Sequence, residues 1–273
     1  MKRSRAADTY RIPGGAKIEM GRKKLFATDF DGTLSQYPHG VTEEYLDMIE
    51  KFRKAGNVFG IVTGRTYSNA DYIIKDYLKY CDFIMCMTGA YAIDTDNNTI
   101  FEYFGDGQIL PDILKTIAEL GTGYLYFADG RTSYRIDLSI PVDDSHEGII
   151  EAKKHKTFTQ INACFDPEEH FRYALGVLEE KYGDKLSINI NGHCVDIPPY
   201  GVNKGVTVAR MAEHFGVLPE DIYTAGDNDN DATMLAPFNG YTVPHGSEKC
   251  KAAAKKVMVN VAEMLRDVME NNN

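Results

Sequence analysis

Leu25-Phe26-Ala27-Thr28-Asp29-Phe30-Asp31-Gly32-Thr33-Leu34 opens as a short apolar run and closes on two aspartates, a glycine and a threonine. In an extended segment residues two apart share a side, so Asp29 and Asp31 can face one spot at the strand's exit. Gly32 permits the sharp turn that follows. In open α/β sheets, ligands bind just beyond the carboxyl ends of the strands. Two carboxylates delivered there point to a metal, a nucleophile or both. Taken alone, the stretch also fits a plain Asp-Gly turn after an edge strand.

Outward from this strand the pattern alternates. Over residues 41–54, Tyr45, Met48, Ile49 and Phe52 recur at helical spacing, with Thr42 as N-cap and Gly56 as the stop. Residues 57–62 read as a buried strand ending in Thr63-Gly64-Arg65, residues 68–80 as an amphipathic helix, and residues 82–87 as a third strand ending in Thr88-Gly89-Ala90. Strands alternating with helices imply right-handed βαβ units in a parallel sheet. Asp29/Asp31 and Thr63/Gly64 then lie side by side on one rim. After Ala90 the texture changes to turns, a β-like stretch over 99–104 and a helix over 109–120. A hairpin around Asp129-Gly130, a strand over 157–165 and a helix opened by Pro167 follow, and a β pair (186–190 with 194–197) closes the segment. The sheet pattern resumes with helix 204–215 and strand 221–225. Short strands near 240–243 and 256–259 and a last helix over 261–269 complete it. The expected fold is α/β, a doubly wound parallel-sheet (Rossmann-like) core with an inserted α+β cap. Residues 1–87 form the first part of the core, with a loosely ordered lead-in over 1–22. Residues 88–190 form the cap, and 191–273 the rest of the core.

Composition narrows the function classes. A chain of 273 residues, 43% hydrophobic and 26% charged, can bury a sizeable core. No apolar run approaches the roughly 20 residues that span a bilayer, and the basic start lacks the apolar stretch of a signal peptide. Forty acidic against thirty basic residues give a net charge of −10, which disfavours nucleic acid as a partner. The five cysteines (Cys81, Cys86, Cys164, Cys194, Cys250) are scattered, without C-x-x-C spacing. They are expected to be idle thiols in a reducing cytoplasm, neither a disulfide framework nor a zinc site. A monomer is the default expectation.

Four rim features call for one chemistry. Asp29 and Asp31 supply two carboxylates, and Asp227 and Asp231 supply two more after another strand. Such oxygens suit a hard cation such as Mg²⁺. Thr63 and Gly64 sit at a strand-to-helix turn where a hydroxyl and free N–H groups can hold an anion, and Lys204 adds a positive charge. Together these are the parts of a phosphoryl-transfer site. No Gly-x4-Gly-Lys-Ser/Thr loop is present. Without an activated Ser or Cys motif, an aspartate is the expected nucleophile.

Asp29-Phe-Asp31-Gly-Thr-Leu, Thr63-Gly-Arg65, Asn203-Lys204-Gly and Gly226-Asp227-x-x-Asn230-Asp231 resemble, in order, the four motifs of the haloacid dehalogenase-like hydrolases, and most closely the Cof-type (IIB) sugar-phosphatase branch. The resemblance covers most of the chain after residue 23. It implies a Mg²⁺-dependent phosphatase acting on a small phosphate ester, a sugar phosphate before pyridoxal phosphate or flavin mononucleotide. Asp29 would attack phosphorus, while Asp31 would protonate the leaving oxygen and later deprotonate water. Thr63, Gly64 and Lys204 would hold the phosphoryl oxygens, with Arg65 and Asn203 as further substrate contacts. Asp29, the Asp31 carbonyl, Asp227 and Asp231 would hold the metal.

Two rival functions share these residues, a phosphomutase with its second phosphate near Arg131 or Arg135 and a non-catalytic phospho-ligand sensor. Arg65 fits a structural ion pair as well as a substrate contact. His39, His193 and His245 match no motif position, and the tyrosines near 124–134 read as core before sugar pocket. Two stretches depart from the family pattern. Pro244-His245-Gly246-Ser247 stands for Met-Gly-Asn-Ala, and Thr88-Gly89-Ala90 for Asn-Gly-Ala.

Overall fold

The computed structural model describes residues 22–270 and, as backbone alone, Thr9–Arg11 and Lys17–Glu19, which pair antiparallel. The loosely ordered lead-in expected over 1–22 otherwise lies outside the described residues. Eight strands form the central sheet. Leu25–Thr28 lies between Ile222–Gly226 and Val58–Val62. Phe83–Cys86 follows on one side, Asn239–Thr242 and Lys256–Val257 on the other, all parallel. Each residue of the Leu25–Thr28 and Val58–Val62 strands is buried. Leu25, Ala27, Val58 and Val62 pack into one layer with Val208, Met211 and Leu235, and Phe26, Phe59 and Ile61 into the other with Phe52, Ile73 and Leu265. Apolar runs without alternation are what a sheet covered by helices on both faces requires. The doubly wound core is therefore present.

The chain crosses from Leu25–Thr28 to Val58–Val62 on one side and later returns to Ile222–Gly226 on the other, which places the topological switch point, and the crevice it creates, at Asp29. The helix Glu43–Lys54 starts where Thr42 caps Tyr45 N–H and buries Tyr45, Met48, Ile49 and Phe52, the four positions the spacing marked.

The inserted module is a five-stranded antiparallel sheet in the order Thr132–Arg135, Tyr124–Asp129, Gln160–Cys164, Cys194–Ile197, Asn189–Asn191. The helices Leu110–Glu119, Glu147–Ala152 and Glu168–Tyr182 cover it around Leu114, Phe127, Phe158 and Leu178. Sheet membership moves both seams away from 88 and 190. Tyr91–Asp94 and Thr99–Glu102 extend the central sheet as its antiparallel edge, and Asn189–Asn191 with Cys194–Ile197 complete the cap sheet. Sequence texture registers the hairpin but not the sheet it joins, because pairing partners are remote in the chain.

One cysteine expectation is overturned. Cys164 and Cys194 face each other across neighbouring cap strands and form a disulfide. Cys164 directs its backbone carbonyl to Gly123 and Thr122 on its other side, so the pair is of the non-hydrogen-bonded kind, whose side chains approach more closely. Thirty residues of separation hide that neighbourhood from a spacing rule. Cys81, Cys86 and Cys250 are free and buried, as expected of idle thiols. No helix among the described residues is long and apolar enough to cross a membrane.

Candidate active site

At the carboxyl end of Leu25–Thr28, Asp29 continues the ladder by donating its N–H to Ala225 O at 2.8 Å, and its carboxylate turns into the crevice. Lys204, at the start of the helix Lys204–Phe215, reaches back beneath it. Its Nζ donates to Asp29 Oδ1 at 2.6 Å and to Asp231 Oδ1 at 2.5 Å. The lysine side chain is 1% exposed, and those of the two aspartates 10% and 0%. Burial pulls the Lys204 pKa down, but the carboxylates of Asp231 and Asp29 overcome it and hold the ammonium charged. Burial likewise pushes the Asp29 carboxyl well up, with Asp231 and Asp227 adding to it and Lys204 opposing. The pressure that remains is excess negative charge in a dry site.

Asp227 completes the floor. Thr33 Oγ1 donates to Asp227 Oδ1 at 2.5 Å, and burial raises its pKa, with that hydroxyl pulling it down. Gly32 has φ +86, and a Cβ there would lie 2.4 Å from Asp227 Oδ2, so glycine is needed for the fold of the turn and for space. Asp29, Asp227 and Asp231 each present an oxygen within 4.8 Å of the others. Three carboxylates with one ammonium leave about two negative charges, and all the donors are oxygens, so the set fits a hard divalent cation. The two Asp231 oxygens are already engaged. Oδ2 accepts Asp227 N–H at 3.1 Å and Asn228 N–H at 3.0 Å, and Oδ1 accepts from Lys204. Asp231 therefore shapes the turn that carries Asp227, in addition to adding charge.

Asp31 stands apart. Half exposed, it forms a bidentate pair with Arg65, whose Nε donates to Oδ2 at 2.7 Å and whose other nitrogen donates to Oδ1 at 2.9 Å. Its side chain is outside the three-carboxylate group, so any part in metal binding falls to its backbone carbonyl. Thr63 Oγ1 accepts Arg65 N–H at 3.2 Å, and Gly64 O accepts from Gln160 of the cap at 2.8 Å. Gly64 N–H has no partner among the described residues and remains available to an anion. A crevice of about 310 Å³ is lined by Asp29, Asp31, Thr63, Gly64, Arg65, Asn191, Asn228 and Asn230.

Sequence reasoning gave the last three no role in the site. Asn191 reads as a hairpin turn, Asn228 as a filler position between aspartates, and Asn230 only as a member of the Gly226–Asp231 motif. Asn228 Nδ2 donates to Asn191 Oδ1 at 2.8 Å, tying the cap to the turn that carries Asp227, and Asn230 Oδ1 is buried without a partner among the described residues. Asn203 goes the other way. Its Oδ1 accepts Val206 N–H at 3.0 Å as the N-cap of the lysine's helix, and it does not line the crevice. Its place one residue before Lys204 is the start of that helix. Both departures from the family pattern lie near the crevice. Ser247 N–H donates to Asp227 O at 2.7 Å, Thr88 N–H to Thr63 O at 3.0 Å, and His245 Nε2 bonds Gly32 O at 2.8 Å.

A family model described as haloacid dehalogenase-like hydrolase matches residues 26–264. The chain belongs to that family. It is thereby a hydrolase, and the curated relatives that it resembles are named phosphatases. It is 28% identical over 244 residues to the 5-amino-6-(5-phospho-D-ribitylamino)uracil phosphatase YwtE of Bacillus subtilis, covering 78% of this chain and 84% of that one. A Streptococcus pyogenes protein, whose name joins a phosphatase to a peptidyl-prolyl cis-trans isomerase, is 24% identical over 270 residues. That match takes in 89% of this chain but spans only 53% of the longer relative. Among solved structures, a HAD/COF-like hydrolase from Plasmodium vivax superposes with TM-score 0.76 at 20% identity, over 92% of this chain and 96% of that one. A sugar phosphatase of haloacid dehalogenase subclass IIB does so with TM-score 0.73 at 18% identity, over 90% and 98%. The Rossmann-like core with its cap is the fold these neighbours share.

Proposed function

We propose that this chain is a Mg²⁺-dependent phosphatase that hydrolyses a small phosphate monoester, a sugar phosphate first among them, through an aspartyl-phosphate, as a cytoplasmic monomer. The observation that carries this reading is the pairing of a buried Asp29, held by Lys204, with a half-exposed Asp31 two residues away on the same crevice.

With Asp29 Oδ1 held by Lys204, the other carboxylate oxygen attacks phosphorus, and the bond from phosphorus to the ester oxygen breaks. Asp31 gives that oxygen its proton. Water then loses a proton to Asp31 and attacks phosphorus, the bond to Asp29 breaks, and phosphate leaves. Thr63 Oγ1, Gly64 N–H and the Lys204 ammonium face the charge on the phosphoryl oxygens. Mg²⁺, carried by Asp29, Asp227 and the Asp31 carbonyl with Asp231 beside them, would neutralise charge on the phosphoryl group. Arg65 orients Asp31 and reaches the same crevice. The cap, taken as the module around the five-stranded sheet, excludes bulk water.

The mutase reading loses support. Arg131 is committed to Tyr91 Oη at 2.6 Å and Asn97 O at 2.6 Å, and Arg135 lies exposed on the edge strand of the cap. Phosphate release from a panel of sugar phosphates, pyridoxal phosphate and flavin mononucleotide, with Mg²⁺ and with EDTA, tests the proposal. Metal-dependent release from some members is expected. Silence across the panel from folded protein would return the sensor reading.

A further inference from the structure

Beside the catalytic crevice lies a second cavity of about 180 Å³, and the two share Gly64, Arg65 and Asn191 in their walls. The cap sheet supplies most of the new wall. Asn162 and Asp196 sit on adjacent strands, and the Cys164–Cys194 disulfide closes one side.

Asp196 is the unusual member. It is 3% exposed, and its two oxygens are treated differently. Oδ1 accepts a short bond from Asn162 Nδ2 at 2.6 Å. Oδ2 has only long contacts, Asn191 Nδ2 at 3.4 Å and Thr88 Oγ1 at 3.5 Å. An ionised carboxylate can accept about four hydrogen bonds, and bonds to a charged acceptor normally shorten to about 2.7–2.9 Å. A buried carboxylate oxygen with nothing closer than 3.4 Å is short of donors. Burial accordingly raises the Asp196 pKa to about 6, against the pull of Asn162.

The location of that oxygen matters as much as its poverty of partners. A Cβ at residue 64 would stand 2.6 Å from Asp196 Oδ2. Asp196 Oδ2 therefore lies at the seam of crevice and cavity, next to the loop that offers its N–H to the phosphoryl group. Asn191 cannot swing in as a better partner, because Asn228 holds its side-chain oxygen at 2.8 Å. The cavity mixes amide donors and acceptors with one donor-poor carboxylate, the lining a hydroxyl-rich group matches.

We propose that this cavity receives the leaving group of the phosphate ester, and that Asp196 is a specificity-determining residue accepting a hydrogen bond from a hydroxyl of a polyol. The proposal rests on the phosphatase reading. Asn162 and Asn191 hold the carboxylate in place, and the bond is satisfied only with substrate present. Hydroxyl-bearing esters are preferred because a leaving group without donors leaves Asp196 unpaired.

The test compares kcat/KM for a hexitol 6-phosphate and for hexyl phosphate, which has the same chain length and no hydroxyls, in wild type and Asp196→Asn. Wild type is expected to prefer the hexitol ester at least tenfold, and the variant to lower that ratio by about 10–100-fold. General damage to the fold would lower both rates and leave the ratio unmoved, so an unchanged ratio overturns the proposal. Equal rates on the two esters in wild type overturn it without any variant. If wild type turns over neither ester but releases phosphate from other panel members, the polyol proposal fails and the phosphatase reading stands. If the whole panel is silent, calorimetric binding of hexitol 6-phosphate decides the cavity's role separately. Weaker binding to Asp196→Asn than to wild type supports it, and equal binding overturns it.

Discussion

Asp29 and Asp31 leave the same strand two residues apart, yet they belong to different electrostatic worlds. The first lies on the buried floor, in contact with an ammonium that is itself shared with Asp231. The second sits at the lip, half exposed, in a bidentate pair with Arg65. A charge on the floor is dry and strongly coupled to its neighbours, whereas a charge at the lip is screened by water. The floor suits a nucleophile fixed in position, and the lip suits a group that must exchange a proton with the leaving oxygen and with water. Identical side chains acquire separate roles from depth alone.

Substitutions can break that contrast. Asp29→Asn is expected to abolish turnover, about 10⁴-fold or more in kcat, with the thermal transition preserved. Residual activity above about one per cent of wild type would remove the nucleophile assignment. Lys204→Met leaves two buried carboxylates without their cation and should cost about 3–5 kcal/mol of stability. Denaturant melts of wild type and variant in EDTA read that loss.

Asp196 sharpens the comparison, as a buried carboxylate without a hydrogen-bonded cation. Its folded pKa of about 6 lies above the ordinary 3.8. The stability it contributes is thus fully present below about pH 4 and lost as pH rises through about 6, by roughly 3 kcal/mol. The melting temperature of Asp196→Asn relative to wild type should rise from pH 4 to pH 7. A constant difference would contradict a raised pKa.

At the lip, Asp31→Asn should lower kcat by about 100-fold on esters with poor leaving groups and less on p-nitrophenyl phosphate. Folding stability should change by less than about 1 kcal/mol, because the ion pair with Arg65 is exposed. Equal losses on both esters would deny Asp31 the proton-transfer role.

Much of this was legible in the chain. The alternation of apolar strand runs with helices around 25–62 implied a parallel sheet, and the periodicity of Tyr45, Met48, Ile49 and Phe52 named the face its helix buries. Asp29, Asp31, Thr63, Gly64, Arg65, Lys204, Asp227 and Asp231 were all marked as site candidates, and the fold gathers them at one rim. Such signals are local, since alternation, helical spacing and a glycine after a carboxylate each depend on a few consecutive residues.

What the sequence by itself determined is therefore the kind of sheet, the order of its elements and the carboxylates, threonine and lysine at its rim. Tertiary structure alone decided which sheet Tyr91–Glu102 and Asn189–Ile197 join, that Cys164 meets Cys194, that Asn203 caps a helix, and that Asn191, Asn228 and Asp196 border the site. It also set the depths that separate Asp29 from Asp31. The physical reason is common to all of these. Strand pairing, burial and desolvation are fixed by neighbours that are distant along the chain, so no window of sequence contains both partners.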